Sequence, residues 1–373
     1  MRTEITERYY RVLTYQSVDR VPDLEFGYWP QTIRRWLGEG MPLSLTDDEK
    51  SEMFSEKVDD FFCFERYGHG LGLKTHMNPM YEERVIERRG DVTVMRDTSG
   101  VVAERYLNDV EASSIPRFIE FPVRDRDSWE EMKRRYRIED PTRFVGDSAI
   151  REARDAAADG KMLSVWFVGF YGQLRNWMGM EGLSLAFYDQ PALVAEMVEH
   201  WAELCAHQIE RLPADLPIDY VGWWEDMAGR NGPLLSPALF RQFLQPGYRR
   251  VMDQARKHGC VLSHVDCDGN PHDIVANWLE EGVNVMFPLE AQAGVDPAAW
   301  RREFGRDLLL RGGIGKEPLV KGGAAIDREL DRIKPILAQG GFVPHLDHLV
   351  PPDIPYAHYL EYLEKKRKLI GRM

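Results

Sequence analysis

Cysteine is scarce in this chain. Its 373 residues hold four, namely Cys63, Cys205, Cys260 and Cys267, and none forms a CxxC pair. That usage suggests no disulfide framework and fits a reducing compartment. Long apolar runs are also missing, so no segment reads as a bilayer-spanning helix. Met1 to Tyr10 carries Arg2, Glu4, Glu7 and Arg8 in place of an apolar stretch, so no secretory signal is expected there and the expected location is cytoplasmic. Positive charge is in deficit, with 48 Lys and Arg against 61 Asp and Glu and a formal net charge of -13. Nucleic acid and anionic membranes are polyanions and are therefore disfavoured as partners, although one basic cleft remains compatible with that total. There is no low-complexity linker, no repeat of solenoid period, and no glycine-rich phosphate loop after the first expected strand.

What is present is a globular composition, 43% hydrophobic and 29% charged, read as one domain over residues 1–373. Thr3 to Thr14 reads as a helix at the mouth or base of the fold. Asp23–Gly27, after Pro22, reads as a first strand and Asp59–Phe64 as another. From Met162 onward, short apolar runs alternate with amphipathic helices. The runs are Met162–Val168, Asp219–Trp224, Val261–Val265, Val283–Pro288, Leu308–Ile314 and Gly341–Leu346. Continuous apolar strands separated by helices predict a parallel sheet buried on both faces. Six such units and the two earlier strands predict an α/β fold, a (β/α)8 TIM barrel. Val85–Arg89, Val92–Asp97 and Val101–Tyr106 alternate around Gly90 and Gly100, which adds an antiparallel hairpin insertion near residues 83–107.

The carboxyl ends of barrel strands open on the active site. Polar residues collect at those ends here: Glu225, then His264 and Asp266, then Glu290, then Arg311, then His345, Asp347 and His348. Carboxylates, imidazoles and a guanidinium at one mouth make an acid–base or metal constellation. Each also has a plainer reading. Glu225 caps a helix, Asp268-Gly269-Asn270 is a turn, His264 is a satisfied core residue, and Cys267 is a small buried filler. Trp166, Tyr171 and Trp224 either line a flat apolar pocket or pack the top of the barrel.

Several of these segments together resemble the uroporphyrinogen decarboxylase superfamily. They are Trp224-Glu225-Asp226-Met227-Ala228 with Ser236-Pro237, His264-Val265-Asp266-Cys267-Asp268-Gly269-Asn270, Arg311-Gly312-Gly313-Ile314, and Gly340-Gly341-Phe342 leading to His348 and Pro351-Pro352. The resemblance covers roughly Val165 to the carboxyl end and implies a barrel that is cofactor-free or metal-assisted. Decarboxylases of this superfamily grip a tetrapyrrole through an arginine-rich amino-terminal segment. Here the corresponding stretch is Phe26-Gly27-Tyr28-Trp29-Pro30-Gln31, without arginine. Its corrinoid-dependent methyltransferases bind zinc through a His-x-Cys pair and a later cysteine. Here those positions carry His264, Asp266 and His348. Histidine and carboxylate are also zinc ligands, so a nitrogen/oxygen site for a divalent metal such as zinc, or no metal, is compatible.

The resemblance therefore implies a methyltransferase, corrinoid-linked or demethylating, acting on a small molecule with a corrinoid protein as partner; a homodimer is also implied. His264, Asp266 and His348 would bind a metal or exchange protons, Glu225 would orient or deprotonate the substrate, and Arg311 would hold an anionic group. Trp166, Tyr171, Trp224, Glu290 and Asp347 would contact the substrate. Decarboxylation of a tetrapyrrole or other carboxylate-rich molecule is the second expectation. A non-catalytic module binding a tetrapyrrole or a corrinoid protein is the third.

Overall fold

In a computed structural model of the chain, residues 2–106 and 116–372 are described. Position 107 of the expected insertion lies outside them. The strands, in chain order, are β1 (Gly68–Gly70), β2 (Arg84–Arg89), β3 (Val92–Arg96), β4 (Val102–Tyr106), β5 (Arg117–Glu120), β6 (Met162–Val168), β7 (Tyr220–Trp224), β8 (Ala228–Gly229), β9 (Gly232–Pro233), β10 (Leu262–Asp266), β11 (Val285–Phe287), β12 (Leu309–Ile314) and β13 (Phe342–Leu346). Seven of them form a curled parallel sheet in the order β1-β6-β7-β10-β11-β12-β13. The order follows the chain without reversal, so the sheet is singly wound and a doubly wound open sheet is excluded.

The eighth position is filled irregularly. Asp23–Tyr28 runs extended beside the sheet edges. The Glu65 N–H donates to the Asp23 carbonyl (3.0 Å), and the Val350 N–H donates to Gly27 (2.9 Å). Side chains replace the rest of a ladder: Glu65 accepts from the Asp23 N–H (2.8 Å) and Glu25 from the Leu346 N–H (2.9 Å). The expected first strand is therefore extended backbone with few ladder bonds. The strand expected over Asp59–Phe64 is instead largely helix, Glu56–Phe61. The true neighbour of β6 is β1, three residues with glycine at each end, which no apolar run announces.

The insertion is larger than a hairpin. It is an antiparallel sheet of order β2-β3-β4-β5, whose fourth strand, Arg117–Glu120, the alternation did not reveal. The amino-terminal helix Glu4–Leu13 closes the base of the barrel. Its Tyr9, Val12 and Leu13 pack on Met162, Tyr220, Leu262, Val285, Leu309 and Val343, the lowest inward layer of the strands. Strand residues two apart share a face. Two residues further along the strands come Gly222, His264, Phe287, Arg311 and His345, and two further again Trp166, Trp224 and Asp266. Gly222 is required where it stands, because a Cβ there would lie 2.3 Å from the Trp166 ring that crosses it.

Candidate active site

The middle layer is a buried polar chamber. His264 is fully buried and stacks on Tyr220 (ring centroids 4.5 Å apart). The Arg311 guanidinium approaches its Nδ1 at 3.4 Å, and the Tyr9 hydroxyl approaches its Nε2 at 3.5 Å. A guanidinium only donates, so Nδ1 is the acceptor and the proton sits on Nε2. Burial, and then the Arg311 charge, hold the imidazole well below its ordinary pKa, so it is neutral. Arg311 is 7% exposed and lies against the Phe287 ring, its Cζ 4.8 Å from the centroid; it makes no ion pair among the described residues. His345, beside it, is buried, and its Nε2 has no hydrogen-bond partner among the described residues.

Above this chamber a cleft of about 670 Å³ opens at the carboxyl ends of the strands. Its walls are aromatic: Phe26, Trp29, Phe54, Trp166, Trp224 and Phe287. Its polar groups are Asp226, Asp266, Asp268 and His348. Asp266 ends β10, faces inward, and has no hydrogen-bond donor among the described residues. Burial, and then the neighbouring Asp268 and Asp226, push its carboxyl well above the usual range. Asp226 follows the β7 end with a backbone φ of +43°, a left-handed conformation that costs a non-glycine residue on the order of 1 kcal/mol or more. Arg175 holds it there, donating to the Asp226 carbonyl (2.7 Å). Burial, and then Asp268, raise the Asp226 carboxyl as well. His348 reaches Asp268 through Nε2 (3.3 Å) and stacks on Trp29 (5.9 Å, 20°).

The structure thus brings Asp266, His348, Trp166 and Trp224 to one cleft, with His264 and Arg311 directly beneath it. It does not bring Glu225 or Tyr171 there. Glu225 points to the opposite side of β7, into the layer between sheet and helices. It accepts the Gly172 N–H (2.8 Å) at the start of helix Phe170–Asp189 and is bonded by the Tyr248 hydroxyl. The side-chain period of a strand gives the reason, since neighbours of inward Trp224 must face outward. Burial pushes the Glu225 carboxyl up to about 8. Tyr171 is buried in the first turn of the same helix. Glu290 and Asp347 form a separate knot beside the cleft, joined through Lys316 (3.3 and 3.7 Å). Glu290 also accepts the Gly269 N–H (2.9 Å), and Asp347, fully buried and raised to about 6 by desolvation, accepts that of Ala291 (2.9 Å).

Sequence reasoning assigned no role to Phe26, Trp29, Asp226 or Phe287, and left Asp268 open between a turn and a functional residue. Phe26 lies near the end of the first expected strand and Trp29 just beyond it, and Asp226 and Asp268 stand in the segments that carried the resemblance; strand-end position was the signal available for all four. Tyr9 carried none, because only the fold brings the amino-terminal helix under His264.

The expected metal ligands do not fit a metal ion. The Nδ1 lone pair of His264 faces a guanidinium, its Nε2 carries the proton, and the ring lies below Asp266 rather than beside it. His348 is committed to Asp268 and Trp29. Among the described residues no three His, Cys, Asp or Glu side chains converge as a ligand set. Cys267 is buried among Val265, Met286 and Trp300, on the outward face of β10.

The sequence model of the uroporphyrinogen decarboxylase (URO-D) family matches residues 108–368. Uroporphyrinogen decarboxylase from Maricaulis maris is 26% identical over 134 residues, 36% of this chain, and the chain spans 38% of that enzyme's length. Among solved structures, a methyltransferase from Methanosarcina mazei has a similar fold, with a TM-score of 0.59 and 16% identity over 98% of each chain.

Proposed function

The chain belongs to the uroporphyrinogen decarboxylase family, and from that premise we propose that it moves a methyl group from a small methylated molecule to a corrinoid presented by a partner protein. One observation carries this reading: the cleft lining contains three aspartates and six aromatic rings, and neither arginine nor lysine. A tetrapyrrole rich in carboxylates would bury like charges against Asp226, Asp266 and Asp268, with His348 the one basic side chain in the lining. A methyl-bearing group instead gains from burial among rings. Around the rim, Trp29, Met53 and Phe54 are 37%, 40% and 62% exposed, an apolar margin of the kind on which a partner seats.

In this reading the protein's own residues bind, orient and dry the substrate. Trp166 and Trp224 form the walls, Asp226 and Asp266 set the polar end, and His348, braced by Asp268 and Trp29, closes the rim. Displacement of water strengthens each electrostatic contact within. The test is anaerobic incubation with reduced cobalamin and a panel of methylated amines, ethers and thioethers. The expected result is a protein-dependent shift of the corrin spectrum to the methylated form, and no carbon dioxide from uroporphyrinogen. Carbon dioxide release with no methyl transfer would replace the reading with decarboxylation.

A second reading rests on Arg311, a buried cation that lacks a carboxylate partner among the described residues. It supports decarboxylation of a small monocarboxylate reaching below Phe287. Carbon dioxide release that Arg311→Met abolishes would favour it.

A further inference from the structure

We propose that the cleft selects a small organic cation, a quaternary ammonium compound, as the methyl donor; this rests on the methyl-transfer reading of the same site. Three independent features point to that chemistry. First, the rings make a box. Phe287 stands perpendicular to Phe26 (5.5 Å, 86°) and to Trp166 (6.1 Å, 89°). Perpendicular walls present ring faces from more than one side, and the face of an aromatic ring attracts a cation. Trp166 is 41% exposed although it stands in an inward layer of the barrel, so its surface is open to the cleft. Second, Asp266 aims an unpartnered carboxylate into that box, with Asp226 and Asp268 beside it. Holding the largely desolvated Asp266 carboxylate beside two other acids is unfavourable unless positive charge joins it. Third, Asp226 and Asp268 already have basic neighbours in Arg175 (3.8 Å) and His348 (3.3 Å), whereas Asp266 has none within ion-pair distance among the described residues. Arg311 lies against Phe287 and is committed to His264, while Arg175 packs on Trp224 (5.0 Å) and is spent on Asp226, binding its carbonyl and pairing with its carboxylate. A bare metal ion is the competing occupant, but it needs converging ligands, and among the described residues no three His, Cys, Asp or Glu converge.

The chemistry matches the surroundings. The corrinoid nucleophile of the partner supplies the electron pair for the new bond to the methyl carbon. The carbon–nitrogen bond breaks, its pair remains on nitrogen, and a neutral tertiary amine is left. No proton has to reach the leaving nitrogen, and the positive charge departs with the transferred methyl group. The neutral product then loses the electrostatic hold of Asp226, Asp266 and Asp268, which favours its release.

Choline and its uncharged carbon isostere 3,3-dimethyl-1-butanol separate charge from shape. Titration of tryptophan fluorescence in the intact protein is expected to show saturable choline binding, with the isostere at least about tenfold weaker. Asp266→Asn is expected to weaken choline roughly tenfold and leave the isostere unchanged; the isostere thereby reports that the variant's cleft is intact. Equal binding of the two probes, binding of neither, or loss of choline affinity matched by equal loss for the isostere overturns the proposal. Choline binding without methyl transfer from any donor defeats the methyl-transfer reading but leaves the cation site standing. Turnover of an uncharged methyl donor that choline does not inhibit does the reverse.

Discussion

At the scale of single residues, His264 shows how a recognisable position acquires a different role from its neighbours. Its place in the strand gives it an inward direction, but its chemistry is set by Arg311 and Tyr9, which arrive from 47 and 255 positions away in sequence. A cation at Nδ1 and burial both oppose a second positive charge, so the imidazole stays neutral through the pH range in which an ordinary histidine titrates. Nitrogen NMR of the labelled protein is expected to show His264 with Nε2 protonated and its shifts constant from pH 8 down to about 5.5. A midpoint near 6.5 would remove the Arg311 contact from the description. Asp266 is the complementary case: an inward carboxylate whose environment disfavours its charge, as binding sites commonly do before the ligand arrives.

Among elements, the helix Phe170–Asp189 is the instructive one. Its sequence contains Gly172, Gly179 and Gly182, and Gly179 has φ 72° and ψ 164°, a break in the helical backbone. Glycine at that density obscures helical periodicity, which is why the apolar pattern did not reveal the segment. What starts the helix is tertiary: Glu225, from the end of β7, accepts the Gly172 N–H. Gly169 leaves room for that carboxyl, since a Cβ there would stand 2.1 Å from its carbon. With its pKa raised to about 8 from an ordinary 4.5, Glu225 holds a proton in the fold that it loses on unfolding. The stability it contributes is complete below pH about 4.5 and is lost as pH rises toward about 8, by up to ~1.4 kcal/mol per pH unit. Glu225→Gln keeps the acceptor for Gly172 and is expected to flatten that slope in urea titrations run from pH 5 to 8. Glu225→Leu strands the Gly172 N–H and the Tyr248 hydroxyl and is expected to cost ~2–4 kcal/mol. Identical pH profiles for wild type and Glu225→Gln would show that the carboxyl is ionised in the fold.

For the whole molecule, the decisive event is closure of the barrel. Asp23 is fully buried and meets Lys366 (3.2 Å), Arg367 (2.8 Å) and Arg372 (2.7 Å), from the carboxyl-terminal helix Tyr356–Ile370 and just beyond it. Glu65 meets Arg8 (2.9 Å) and Arg20 (2.7 Å) from the amino-terminal segment. Both termini are thus tied at the seam where Asp23–Tyr28 stands in for an eighth strand. Removing the central acid leaves Lys366 buried without its counter-charge, so Asp23→Ala is expected to cost ~3–5 kcal/mol. The exposed pair Glu317–Lys321 supplies the control, and its Glu317→Ala variant is expected to change stability by less than ~1 kcal/mol. Equal effects in urea unfolding would mean that the seam closes without Asp23.

By itself the sequence determined the α/β class, the strands from Met162 onward and the polar strand ends, because apolar period and strand length are local properties written in consecutive residues. It also carried the family, through segments at those strand ends. Only the tertiary structure decided which polar residues share a space. One residue's step along a strand turned Glu225 away from the cleft and Trp224 toward it, and curling of the sheet placed Phe26 and Trp29 from the first segment against His348 from the last. Ligand geometry, protonation and the charge of the cleft depend on distances across the barrel, and those are fixed only when the sheet closes.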